Sequence, residues 1–318
     1  MIEFVCIKFK INHRFLYFKM KNYKGRISKL YWSFLDVSYR WWPDSLWLKI
    51  IYKAKVGRKL NLKNPQTFSE KLNWLKIHDH NPRYVNMVDK YKAKEYVKGI
   101  IGNDFIIPTF GVWDHFDEID FESLPNQFVL KCTHDSGGII ICKDKECLNK
   151  EYARNKLESA LKLDYWCWSR EWAYKSVKPR IIAEKYIEDK EVGKDLIDYK
   201  FYCFHGKAMF CQVITNRSAD ETIDFYDCNW IHQPFVGLNP KAHNAVKEFA
   251  KPLCYDKMLD IVNKLSADIG AKFVRIDLYD INEHIYFGEI TFYPNGGLGT
   301  FSPQEWDYKM GGYLDLSV

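Results

Sequence analysis

Hydrophobic and polar residues alternate most strictly in FVRIDLYDINEHIYFGEI, residues 273–290. A period of two is the mark of a β-strand, so the stretch predicts two strands around a short polar turn. Val274, Ile276 and Leu278 fall on one side, suited to a core, and Arg275 and Asp277 fall on the other. With Asn282-Glu283-His284 as the loop, Ile281 faces Ile285, Leu278 faces Gly288 and Asp277 faces Glu289. Opposed residues in an antiparallel pair have Cβ atoms about 4.5–5.5 Å apart. Two carboxylates that close repel, and one takes up a proton unless a cation sits between them. Mg²⁺ suits the place, because it takes carboxylate oxygens and keeps positions for water and phosphate. An ordinary solvated strand face is the competing reading of this hairpin alone. On the metal reading, removing either acid relieves repulsion and leaves stability without Mg²⁺ largely unharmed.

Other segments add strands and helices. NQFVLKCTHDSGGIIICKD reads as strand, polar glycine-rich loop and strand, with Lys131 ending the first strand. Glycine lets the backbone amides of HDSGG approach a phosphate closely. This is not a P-loop: G-x-x-x-x-G-K-[ST] is missing, and the loop leads into a strand. PRIIAEKYIEDKEVG is an apolar strand ending at Glu184, then a polar segment holding Glu191. LIDYKFYCFHGKAMFCQVITNRS is a hairpin turning at His205-Gly206, with Asp198 and Lys200 on one face and Tyr199, Phe201 and Cys203 on the other. KNPQTFSEKLNWLKIHD predicts a helix capped by Thr67 or Ser69. NPRYVNMVDKYKAKEYVKGIIG predicts a second helix, closed by Gly99 and Gly102. Alternating helices and strands with a strand-rich second half give the α+β class.

Composition narrows the function. A chain of 318 residues with 47% hydrophobic and 28% charged residues is a globular protein of two or three subdomains. It holds no apolar run of 18 residues, so no membrane-spanning segment is expected. The nine cysteines are scattered, and none forms a C-x-x-C pair, which excludes a zinc ribbon and a thioredoxin motif. With no convincing signal peptide, a reduced, cytoplasmic protein is expected. The net charge of +6 is uneven: residues 1–60 carry 14 Lys and Arg against three acids, interleaved with 14 aromatic residues. An anionic membrane surface is the preferred partner for that segment. A helical layer packed on the main domain comes next, and nucleic acid last. A chain starting near Asn61 is expected to lose binding to anionic vesicles.

In this order, PQTFSEKLNWLK, DKYKAKEYV, FVLKCTHDSGG, IIAEKYIED, DYKFYCFHGK, VRIDLY and GEITFYPNGG resemble an ATP-grasp enzyme. Within that superfamily the chain resembles the TupA-like group of bacterial surface-polysaccharide enzymes, over about residues 60–318. The resemblance implies the ATP-grasp fold, two α+β subdomains enclosing ATP. Residues 61–125 would be the pre-grasp region, 126–196 the N-subdomain with its flap and hinge, and 197–318 the C-subdomain with the metal site. Residues 1–60 would be a basic, helical N-terminal segment.

The resemblance also implies ATP and Mg²⁺ as cofactors. Lys131 would hold the α and β phosphates, with Ser136, Gly137 and Gly138 as the flap over them. Glu184, Lys185, Tyr186 and Ile187 would be the hinge strand beside adenine, and Glu191 would bind ribose. Lys200 and Arg217 would face the γ-phosphate or the substrate. Asp277 and Glu289 would ligate Mg²⁺, and Arg275 would steady the phosphoryl group in transfer. Thr291 stands where many members have the Asn of Glu-x-Asn, and would be a weak or water-mediated third ligand. The implied activity is carboxylate–amine ligation through an acyl phosphate, joining an amino acid or amine to a uronic acid of a surface glycan or nucleotide sugar. A sugar or glycan kinase and a catalytically idle membrane-surface scaffold compete with it. From the cysteines and the basic segment, the expected location is cytoplasmic, with residues 1–60 against the inner face of the membrane.

Overall fold

The computed structural model describes residues 38–188, 196–217, 219–239 and 241–317. Residues 1–37 of the basic segment, Cys6 and Glu191 lie outside the described residues. The chain forms two compact units, Met1–Trp42 and Pro43–Val318, and the second carries every element below.

Its strands are β1 (Thr109–Trp113), β2 (Phe128–Cys132), β3 (Ile139–Cys142), β4 (Ile181–Lys185), β5 (Asp198–Phe204) and β6 (Lys207–Thr215). Then come β7 (Thr222–Asp227), β8 (His232–Gln233), β9 (Val236–Gly237), β10 (Phe273–Ile281), β11 (His284–Thr291) and β12 (Phe301–Ser302). One sheet has the order β1-β4-β2-β3 and a second the order β11-β10-β5-β6-β7-β8. Every pairing within them is antiparallel. The α+β expectation holds.

Each sheet is backed by a helix whose apolar spacing fits it. Lys150–Leu161 buries Ala153, Leu157 and Ala160, an i, i+4, i+7 stripe, in one core with Phe128, Leu130 and Cys132. Tyr255–Ile269 buries Met258, Val262, Leu265 and Ile269 in the core of the larger sheet. The helix Phe68–His78 opens on a capping box: Thr67 Oγ1 accepts from the Glu70 amide at 3.3 Å, and Glu70 Oε2 accepts from the Thr67 amide at 3.1 Å. Phe68, fully buried, sets its ring 4.9 Å from that of Phe273.

Two expectations need correction. The single helix expected within residues 81–102 is two helices, Tyr84–Val88 and Lys92–Ile101. Asp89 breaks it, because its carboxylate accepts from the Tyr91 and Lys92 amides and so starts the second helix. Gly102 ends that helix, and Gly99 lies within it. The basic segment is also not one membrane-facing unit. The helix Asp44–Val56 buries Trp47, Leu48, Ile51 and Tyr52 completely. Trp47 Nε1 donates to Trp168 O at 2.8 Å, the Tyr52 hydroxyl meets Ser69 Oγ at 2.8 Å, and Arg58 pairs with buried Asp307. Residues 44–60 are therefore the helical layer. Among the described residues no helix is long and apolar enough to cross a membrane. The eight described cysteines are free, and five of them are buried.

Candidate active site

The register of the larger sheet builds one wall of the site. Glu289 stands opposite Asp277, Asp277 opposite Lys200, and Lys200 opposite Gln212. Directly opposed residues share a face, so these four side chains run in a line across β11, β10, β5 and β6. Arg275, two residues before Asp277 on β10, opposes Thr291. Its Nε donates to Asp277 Oδ1 at 2.6 Å, and its Nη2 donates to Asp277 Oδ2 and Glu289 Oε1, each at 2.8 Å, and to Thr291 Oγ1 at 3.1 Å. The cation required between two close acids is thus supplied by the chain itself. Lys200 bonds Asp277 Oδ2 and lies 3.2 Å from Asp198 Oδ1, while Arg217 Nε reaches Asp198 Oδ2 at 2.8 Å.

The two acids divide their charge unequally. Burial pushes the Asp277 carboxyl up, against the pull of Arg275 and Lys200 and with a further push from Glu289. Burial acts the same way on Glu289, but Arg275, Lys200 and Lys90 outweigh it and hold that carboxyl down at about 2. Asp277 has a side chain 2% exposed, whereas that of Glu289 is 42% exposed. The expectation that either acid can be removed without harm to stability therefore fails for Asp277. Taking it away strips Arg275 and Lys200 of a buried partner, and breaking a buried pair costs about 3–5 kcal/mol.

The hairpin reaches the expected pairing by an unexpected route. Its tip is Asn282-Glu283, both with positive φ (52° and 65°), and Ile281 pairs with His284 rather than Ile285. Leu278 pairs with Phe287, not Gly288. A bulge at Gly288 then restores Asp277 opposite Glu289. Gly288 suits the bulge, since a Cβ there would stand 3.0 Å from both Asp277 O and Tyr279 Cε2.

The smaller sheet forms the opposing wall. Lys131 Nζ lies 2.6 Å from Glu184 Oε2, and Lys94 Nζ lies 2.5 Å from Glu184 Oε1. Burial works against the charge on Glu184, yet Lys131 and Lys94 outweigh it and hold its carboxyl at about 2. A depressed folded value gives stability that is present above the ordinary carboxyl value and lost as pH falls through the folded one. For a shift from 4.5 to about 2 this is about 3 kcal/mol. Glu184→Gln should accordingly be less stable at pH 7 and lose less on acidification from pH 4.5 to 2, read by urea unfolding. Acid limbs that superimpose with those of the unchanged protein would contradict the pairing.

The glycine loop is less open than its sequence implies. The Gly137 and Gly138 amides donate to Asp135 Oδ2, at 3.2 and 2.8 Å. Gly138 is required by packing, since a Cβ there would come within 2.7 Å of Cys132 Sγ and 2.8 Å of Ala160 Cβ. Lys185, Tyr186 and Ile187 do not line the cavity between the walls, and the Lys185 amide donates to Pro108 O at 2.9 Å. Lys90 and Lys94 were not singled out from the sequence. Lys90 lines the cavity and donates to Asp135 O; its one signal was the DKYKAKEYV segment, where its register cannot be told from a solvated helix face.

Between the walls lies a cavity of about 430 Å³, with Lys90, Lys131, Ser136, Lys200, Asp277 and Glu289 in its lining. That volume is within the range of small-molecule and cofactor sites. Among the described residues no group of three or more His, Cys, Asp or Glu side chains could hold a metal ion. The donor set is one half-exposed carboxylate, one buried carboxylate and a hydroxyl that is already hydrogen-bonded to Glu289. It fits Mg²⁺ carried in with a phosphate ligand, because that ion uses one or two carboxylates and keeps water and phosphate for the rest. It does not fit a dedicated protein cage.

A family model described as TupA-like ATPgrasp matches residues 70–315. Among solved structures, the chain is similar to the D-alanine–D-alanine ligase of Helicobacter pylori at 15% identity and a TM-score of 0.41, over 79% of this chain and 70% of that one. It is similar to the Bacillus anthracis D-alanine–D-alanine ligase complexed with ATP at 15% identity and a TM-score of 0.38. That match covers 66% of this chain and 54% of the ligase, so the chain spans about half the length of that relative. The ATP-grasp ligase PsnB, complexed with minimal precursor, Mg and ADP, matches at 11% identity and a TM-score of 0.37, over 70% of this chain and 57% of that one. Likenesses this remote carry no argument by themselves. No curated protein matches the chain.

Proposed function

The chain belongs to the TupA-like ATP-grasp family, and from that membership we propose an ATP-dependent ligase that joins a carboxylate to an amine through an acyl phosphate. One observation supports the reading above the others: two antiparallel sheets face one cavity, one bringing Lys131 and the other the Asp277/Glu289 pair with Arg275 and Lys200. Catalysis of this kind asks the protein for placement and charge neutralisation rather than a covalent nucleophile.

Lys131 and Lys90 are assigned to the phosphates on one wall, under the loop carrying Ser136, Gly137 and Gly138. The strand end at residues 184–187 is proposed to lie beside adenine through Glu184, the one of these four residues that lines the cavity, and Glu191 is proposed for ribose. Asp277 and Glu289, with Thr291 beside them, would hold Mg²⁺, which supplies charge neutralisation at the transferring phosphoryl group. A carboxylate oxygen of the acceptor attacks the γ-phosphorus, and the bond to the ADP oxygen breaks. The amine nitrogen then attacks the acyl carbon, phosphate leaves, and the nitrogen loses its proton. Lys200, Arg217 and Arg275 neutralise the negative charge gathered in the first step.

The proposed acceptor is a uronic acid of a bacterial surface polysaccharide or nucleotide sugar, and the proposed amine is an amino acid. Residues 61–125, 126–196 and 197–318 are the proposed pre-grasp region and subdomains. The basic residues ahead of Pro43 are proposed to meet an anionic membrane surface from the cytoplasmic side.

Hydroxylamine in place of the amine tests the chemistry. The ligase should release ADP and phosphate and form a hydroxamate only when a uronate is present, and Lys200→Ala should suppress it with ATP saturating. A stable phosphosugar with no hydroxamate would replace the ligase by a kinase. No ATP turnover with any acceptor would leave a scaffold.

A further inference from the structure

Lys76 lies on the helix Phe68–His78 at 2% exposure, one turn after Leu72, where the helix faces the core. Burying an ammonium carries a penalty of several kcal/mol unless its protons are all satisfied. Here they are. Lys76 Nζ donates to Gly296 O at 2.5 Å, to Ser169 O at 2.8 Å and to Asn73 Oδ1 at 3.3 Å. Asn73, fully buried, donates from Nδ2 to Gly297 O at 2.6 Å and to Ser69 O at 2.8 Å. Two side chains of one helix thus hold consecutive carbonyls of a distant turn.

That turn follows the strand bearing Glu289 and Thr291. Asn295, Gly296 and Gly297 have φ of 50°, 60° and 62°, three left-handed residues in succession. Glycine and asparagine adopt this region at little cost, so the sequence Asn-Gly-Gly permits the turn, and the hydrogen bonds from Lys76 and Asn73 hold it. Asn295 lines the cavity and donates from Nδ2 to Leu238 O at 2.8 Å. The other backbone carbonyl held by Lys76, that of Ser169, lies two residues before Glu171, and the Glu171 carboxylate is within electrostatic reach of Lys76, Glu289 and Arg275. An apolar side chain would fill the space of Lys76 more cheaply. An ammonium with three carbonyl-type acceptors fixes the spacing of two turns, which an apolar side chain cannot do.

We infer that Lys76 is a positioning residue for the part of the cavity lined by Asn295, taken as its acceptor side, locking the Asn295–Gly297 turn to the Ser169–Glu171 turn and so setting where the carboxylate acceptor lies. The word acceptor rests on the ligase reading; the clamp itself rests on the hydrogen bonds. Neither Lys76 nor Asn73 bonds Lys131, Glu184 or Lys90, so nucleotide binding should be spared.

The test compares the full chain with Lys76→Met, Lys76→Arg and Asn73→Ala in three measurements. They are hydrogen exchange of residues 293–299, Mg·ATP affinity by calorimetry, and hydroxamate kinetics with D-glucuronate as the probe acceptor. For Lys76→Met the exchange of 293–299 should rise at least tenfold, with the Mg·ATP Kd within twofold. The KM for glucuronate should rise at least tenfold while kcat changes less than threefold, and Lys76→Arg should recover part of both changes. Unchanged exchange, or a Kd for Mg·ATP that weakens as much as the glucuronate KM, overturns the inference. Should Lys76→Met not fold, Asn73→Ala, which removes the bond to Gly297 together with those to Ser69 O and from Lys76 Nζ, is judged by the same thresholds. If glucuronate gives no hydroxamate with the unchanged protein, the acceptor reading fails, and exchange with Mg·ATP affinity still decides the clamp.

Discussion

Glu289→Gln is expected to lower hydroxamate-forming turnover by about a thousandfold or more, roughly 4 kcal/mol of barrier, while the fold survives. The carboxylate lines the cavity and is ionised well into acid, with Arg275 at 2.8 Å. An isosteric amide keeps the shape and removes the charge a divalent ion needs. Because the side chain is 42% exposed, its pairing with Arg275 is screened by solvent, and the melting temperature should move by only a few degrees. Turnover within tenfold of the unchanged protein would remove Glu289 from the metal site. Asp277→Asn is the poorer experiment, since the same loss of turnover would be mixed with the loss of a buried partner for Arg275 and Lys200.

A chain beginning at Asn61 is expected not to fold, whereas one beginning at Pro43 should. The shorter chain lacks Trp47, Leu48, Ile51 and Tyr52, all fully buried, and the partner of Asp307. Truncating a buried Trp alone costs about 3–5 kcal/mol, and burying each aliphatic side chain contributes about 1.5–3 kcal/mol. Together these exceed the whole net stability of an ordinary domain, about 5–15 kcal/mol, or come close to it. Circular dichroism and sedimentation of the two chains decide it. A soluble Asn61 chain with an unchanged melting temperature would show that the helix Asp44–Val56 is dispensable. For vesicle binding, the informative truncation is therefore the one at Pro43.

The parts of this protein that could be read from its sequence are those governed by local spacing. Alternation placed Asp277 and Lys200 on their faces, and Thr67 or Ser69 announced the helix that Thr67 caps. The hairpin tip misled because Glu283 is an unusual residue for positive φ, which favoured a three-residue loop; the bulge at Gly288 cancelled that error at Glu289. Asp89 looked like one more polar position of a continuous helix, and only its side-chain bonds to two amides reveal the break. Lys94 and Lys76 were invisible for another reason. Each occupies a helix position that a solvated lysine could fill, and what buries it is a partner far along the chain, Glu184 for one and Ser169 with Gly296 for the other. The same holds for Trp47, whose basic neighbours suggested a surface while Trp168 takes it into the core.

The cleft is already neutralised from within. Lys131 holds Glu184, Lys200 holds Asp277, Arg217 holds Asp198, and Arg275 holds both Asp277 and Glu289. Such a surface behaves like an ion-exchange resin in its resting form, with fixed cations carrying resident counter-ions and little field left over to gather stray anions. On the proposed reading, an incoming polyphosphate displaces carboxylates rather than entering a vacant positive pocket. Asp277 and Glu289, the carboxylates set loose from Arg275 and Lys200, are the ones a divalent ion requires. Nucleotide and metal would therefore load together, each releasing the groups the other needs.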